Sequence, residues 1–134
     1  MRNRGSIENL ISRYSLSYDT ADMEAIAACF TDDAVFRMTL PGSDPVTFDG
    51  RDAIMALMEQ SARTQTDQRR HVNSNLIVHP DVDGVTKTTH YLTLLATENG
   101  EIRVLTAGVY RLEIVGDDED LRFRALDLEL DRPY

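Results

Sequence analysis

One cysteine, Cys29, leaves the chain no internal disulfide. Its setting in AIAACF, among small apolar residues, reads as a buried structural thiol rather than a nucleophile. No segment approaches the roughly 20 apolar residues that a membrane span requires, so no membrane partner is expected. The basic start MRNRGSIENL passes into an amphipathic pattern rather than an apolar stretch with a cleavage site, and cytoplasmic residence is the expectation. Basic residues are scarce: 14 Lys and Arg face 23 Asp and Glu, a formal charge of −9. That balance opposes nucleic-acid binding, whose affinity comes largely from neutralising phosphates. Much of the acidity is local to GDDEDL, read as a solvated turn around Asp117 to Asp120, so it says little about substrate charge. Neither GxGxxG nor GxxxxGK occurs, and three histidines spread over strands and a loop give no compact ligand set. With the cysteine read as helical, neither a metal nor another cofactor is expected.

What the chain does have suits one domain over residues 1–134. Its 42% apolar and 28% charged residues are ordinary for a globular protein. No repeat or low-complexity tract marks a linker. From Ser6, a suitable N-cap, Ile7, Leu10, Ile11, Tyr14 and Tyr18 recur at spacings of three and four, predicting a helix with one core-facing stripe. After the turn YDTAD, Met23, Ile26, Ala27 and Phe30 predict a shorter helix that TDD ends. Ala34 to Met38 is a short strand candidate, the Pro41–Pro45 cluster a loop, and RDAIMALMEQSAR a third helix. Four longer strands follow: His71 to His79, Thr86 to Thr97, Ile102 to Val115 and Leu121 to Asp131. Their connectors HPDVDG, TENG and GDDED fit antiparallel hairpins. In the last strand the apolar phase changes from Leu121 and Phe123 to Leu126, Leu128 and Leu130, predicting a bulge near Arg124 or Ala125. The fold class is α+β.

The chemical lead is a trio. Asp19 follows the first helix, and His71 and His90 sit on strands, where a neutral imidazole exchanges protons near neutral pH and a buried carboxylate fixes its tautomer. Alternation places His71, Asn73, Asn75 and Ile77 on one strand face and His90, Leu92 and Leu94 on one face of the next. If both faces turn inward they line a mixed polar and apolar pocket for a small ligand. Tyr14 and Tyr18 lie on the apolar stripe, where a phenol both packs and donates a hydrogen bond. Plainer readings stand beside these: Asp19 suits capping the second helix, His71 a satisfied strand-start histidine, and His90 cross-strand packing. His79 reads as a loop residue, and Arg69 and Arg70 as charges for solvent, a surface carboxylate or a subunit contact.

The segments RYSLSYDTADMEAIAACFTDDAVF, GRDAI, RRHVNSN, GVYRLEIV and RFRALDLELDR, in that order, resemble the SnoaL-like branch of the NTF2-like superfamily over nearly the whole chain. The resemblance implies a half-open cone, with about three helices packed on a curved, mainly antiparallel sheet. Members include dehydratases, isomerases, polyketide cyclases, a dehydrochlorinase and catalytically silent subunits. The scytalone dehydratase-like pattern implies Tyr18, Asp19, His71 and His90 as the catalytic group, with His71 as general base or acid. Tyr14, Phe36, Asn75 and Leu92 complete the expected substrate surroundings. Phe36 stands where that pattern has a water-positioning tyrosine, and Tyr14 where dehydrochlorinase-like members have a lysine, so neither reaction transfers directly. The expectation is a cofactor-independent lyase or isomerase acting on a small cyclic, hydroxylated or carbonyl-bearing substrate. The alternative is a noncatalytic ligand-binding or assembly module, and a homodimer, with a trimer next, is expected in either case.

Overall fold

Helix α1 (Arg4–Asp19) buries Ile7, Leu10, Ile11 and Tyr14, the stripe that its spacing predicts. The computed structural model describes residues 2–134. The cap of α1 is Asn3 rather than Ser6: the Asn3 side chain accepts from the backbone N–H groups of Gly5 and Ser6, satisfying donors a helix start leaves orphaned. Ser6 instead lies within the first turn. Asp19 closes the same helix as its last residue, rather than following it. Helix α2 (Met23–Ala28) is capped by Asp22 and stops short of Phe30, with Cys29 as its C-cap. Phe30 therefore opens strand β1 (Phe30–Thr39), and TDD, read as a helix end, is part of that strand.

A strand missed in the sequence, β2 (Val46–Asp49), follows the proline-rich turn, and helix α3 (Arg51–Thr64) follows β2. Then come β3 (Gln68–Val78), β4 (Thr86–Glu98), β5 (Glu101–Val115) and β6 (Arg122–Leu130). Strand β3 thus begins three residues before His71. The six strands form one sheet in the order β2-β1-β6-β5-β4-β3. The β1–β6 pair is parallel and the others antiparallel. The sheet is curved and unclosed, and the helices cover its inner face, giving the α+β cone.

Bulges shape that curve. At β5–β6 the register shifts between Glu113 opposite Ala125 and Ile114 opposite Phe123, so Arg124 is the extra residue, as the apolar phase change predicted. A second bulge lies in β3, where Asn75 has φ 60° and the pairing with β4 shifts between Ser74 and Ile77. It corrects the alternation expected for β3. His71 and Asn73 face inward, but Leu76 and Val78 take over beyond the bulge, and Ile77 is 56% exposed. Gly108 permits a close approach of β5 to β6, because a Cβ there would run into the backbone carbonyl of Glu129. No helix among the described residues is long and apolar enough to cross a membrane.

Candidate active site

Helix α1 lies along β3 in the opposite direction, and the two periods match. Ser15 and Asp19, one turn apart, are separated by about 6 Å along the helix, and Asn73 and His71, two residues apart on one strand face, by about 6.6 Å. Both pairs meet: Asn73 Nδ2 donates to Ser15 Oγ at 2.7 Å, and Asp19 Oδ1 lies 2.6 Å from His71 Nδ1. The other Asp19 oxygen accepts the backbone N–H of His71 at 2.9 Å, so one carboxylate fixes both the ring and its strand. Each side chain of the pair is only 6% exposed. A carboxylate at the negative end of a helix dipole is unfavourable, and α1 has no basic residue in its last turn, so the His71 donors supply the compensation. The Tyr18 ring packs edge-on against the imidazole at 4.7 Å. With its Nδ1–H given to Asp19, the neutral His71 ring keeps its lone pair on Nε2.

His90 lies apart from this pair, further along the seam. Its Nε2 is 3.1 Å from Asn73 Oδ1, its ring stacks on Tyr110 at 5.0 Å, and its Nδ1 is buried without a partner among the described residues. Burial pushes its pKa from the ordinary 6.5 down to about 4. The unfolded chain takes up this proton near pH 6.5 and the folded chain only near pH 4, so between those values the unfolded state holds more protons. Stability from this group is expected to be complete above pH 6.5 and to fall by about 3 kcal/mol as the pH drops to 4. Urea midpoints measured across that range check it, and His90→Gln should flatten this part of the profile.

The other expected residues divide. Tyr14 is 4% exposed and packs edge-on against Phe30 and Phe123, each at 5.6 Å. Burial raises the Tyr14 and Tyr110 phenols, so both keep their protons and remain donors. Leu92 is a core residue, and Phe36 packs on Phe48. Asn75 is exposed on the β3 bulge, which carries it off the inner face where alternation placed it. It borders an open cleft of about 400 Å³ between the start of α1 and the bulge, with His90 also in the lining. His79 lies in the connector after β3, bonded to Thr89. Cys29 is buried, with its thiol pushed up to about 11 by desolvation, as a structural cysteine requires.

Sequence reasoning missed Ser15, Tyr110 and Tyr134 and gave Asn73 no partner. Ser15 sits four residues before Asp19, a helical spacing that could have marked the two as neighbours over β3. Tyr134 lies under the Arg69 guanidinium at 5.0 Å, while Arg69 also pairs at 3.1 Å with Asp67, a largely covered carboxylate rather than the surface one expected for it. Arg69 and Tyr134 border a cleft of about 310 Å³ with Met38, Leu40 and Gln65. The interior bounded by Tyr14, Ser15, Asn73, His90 and Tyr110 holds a cavity of only about 10 Å³, the scale of a single water. Among the described residues no three His, Cys, Asp or Glu side chains converge to hold a metal ion.

Residues 1–127 match the SnoaL-like domain family. The chain belongs to the SnoaL-like family. No curated protein matches it. Among solved structures, a protein from Catenulispora acidiphila in complex with S-DNPA is 27% identical, with a TM-score of 0.79 over 94% of this chain and 91% of that one. ActVI-ORFA from Streptomyces coelicolor is 24% identical, with a TM-score of 0.81 over 95% of this chain and 96% of that one. The β subunit of a putative aromatic-ring-hydroxylating dioxygenase from Novosphingobium aromaticivorans has a TM-score of 0.83 at 16% identity, over 98% of this chain and 90% of that one. The last two likenesses speak for the fold alone. A SnoaL-like domain is an NTF2-like enzyme or a ligand-binding module, and the seam chemistry bears on that choice.

Proposed function

We propose that this SnoaL-like protein is a cofactor-independent lyase or isomerase, in which His71 moves a proton at a carbon next to a carbonyl or on a ring. The ligand is a small cyclic, hydroxylated or carbonyl-bearing, largely apolar molecule. The observation that carries the reading is the buried 2.6 Å contact of Asp19 with His71 Nδ1, which orients the imidazole and leaves Nε2 for substrate. Tyr18, beside that ring, is the candidate donor to a developing oxyanion, and His90 the second polar contact. The S-DNPA complex of the 27%-identical Catenulispora relative supports a small-molecule ligand. Screening hydroxylated cyclic ketones for elimination or isomerisation tests it. Turnover lost in both His71→Ala and Asp19→Asn is the expected result, and turnover unchanged in both sinks the reading.

The filled interior favours a second reading, a noncatalytic module. Its cavity of about 10 Å³ has room for one water and must open to admit a ring, and Asp19 and His71 are nearly covered. This reading predicts no turnover by the wild type or by either variant, and a ligand-soaked crystal showing an unopened interior would favour it.

A homodimer built on the outer sheet face belongs to both readings, as does a cytoplasmic location. Val72, Tyr91, Ile102 and Val104 are 44%, 53%, 71% and 56% exposed, and the strand pairings place them on the face opposite His71 and His90. Sedimentation velocity at micromolar concentration should show a dimer that Ile102→Glu combined with Val104→Glu converts to a monomer. A wild-type monomer would remove the proposal.

A further inference from the structure

The two inward imidazoles are held by opposite nitrogens. Asp19 engages Nδ1 of His71, whereas His90 turns Nε2 toward Asn73 Oδ1 at 3.1 Å. The amide nitrogen of Asn73 donates to Ser15 Oγ at 2.7 Å, which turns its carbonyl oxygen toward His90, and a ring nitrogen meets a carbonyl only when it carries the proton. We propose that Asn73, anchored by Ser15, is a positioning residue that fixes His90 as the Nε2–H tautomer, making Nδ1 a buried hydrogen-bond acceptor for a hydroxyl-bearing ligand. Nδ1 has no partner among the described residues, and a buried acceptor without one is costly, so a donor arriving there gains a bond that costs the protein none of its own. Desolvation keeps the ring neutral, in the state that accepts. His90 then receives a hydrogen bond from the ligand rather than supplying a proton to it. The ligand half rests on the proposed small-molecule site, while the tautomer is read without any turnover.

Long-range proton–nitrogen spectra of protein labelled with ¹⁵N-histidine test it, with His90→Gln assigning the resonance. The wild type should show Nε2 protonated and Nδ1 bare. Asn73→Asp keeps an acceptor oxygen, so the tautomer should persist while the added charge raises the pH at which His90 protonates. Asn73→Leu removes the acceptor and should bring in the Nδ1–H form. Should that variant not fold, Ser15→Ala, which frees the amide to turn, should do the same. An Nδ1–H ring in the wild type, or an unchanged tautomer in Asn73→Leu or Ser15→Ala, overturns the proposal. Phenol, but not anisole, should shift the Nδ1 resonance; equal or absent shifts overturn the acceptor role. A confirmed tautomer in a protein that turns over no ketone would reject only the enzymatic reading.

Discussion

Replacing Asp19 by Asn is expected to cut turnover by about four orders of magnitude while the fold survives, the scale seen when the carboxylate that orients a catalytic histidine is amidated. An asparagine can still accept the His71 backbone N–H through its oxygen, which is the bond that ties the end of α1 to β3. Its NH₂ group then faces Nδ1, and two donors cannot share that contact. The imidazole proton must move to Nε2, which leaves no lone pair on the edge that the proposed mechanism turns to substrate. The measurement is kcat together with circular dichroism and the His71 tautomer: folded protein, lost kcat and an Nε2–H ring are expected together. Full activity with that tautomer would show that His71 is not the base. Asp19→Ala differs in kind. It strands two buried donors of His71, and a fall of about 1–3 kcal/mol in stability is expected beside the lost activity.

Phe123→Ala is expected to cost about 3–5 kcal/mol, the usual range for removing a buried aromatic ring. Phe123 is 1% exposed, and its ring lies 5.6 Å from both Tyr14 and Phe30. The residue stands beside the Arg124 bulge, and its backbone N–H donates to Cys29 at 2.7 Å, so the site is pinned on two sides and cannot collapse freely around a void. Domains of this size are stable by only about 5–15 kcal/mol, so one ring amounts to a large share. Equilibrium urea unfolding reads the change directly. A loss below about 1 kcal/mol would mean that Tyr14 swings into the vacated space.

The two bulges show what a strand sequence reveals. Around Arg124 the flanking residues are apolar on the inner face, so an inserted residue moves Leu126, Leu128 and Leu130 out of phase with Phe123, and the step is legible. At Asn75 the neighbours Asn73 and Ser74 are polar, and no apolar phase is present to break. The bulge there leaves no mark in the sequence, and strict alternation puts Asn75 and Ile77 on the wrong face. Strand β2 escaped for a related reason: four residues after a proline-rich turn, none of them buried, carry no alternation against a core.

By itself the sequence determined the stripe of α1, the alternation of His90, Leu92 and Leu94 in β4, the hairpin connectors and, through family resemblance, the cone. These are local signals, because helix and strand periods repeat within a few residues and are written in neighbouring side chains. The tertiary structure decided which polar groups meet. Asp19 reaches His71 across 52 positions, Asn73 reaches Ser15 across 58, and the small interior follows from Tyr14, Phe30 and Phe123 closing on one another. Those contacts depend on α1 lying against β3 with matched rise and opposite direction, a relation between distant segments that neither segment encodes alone.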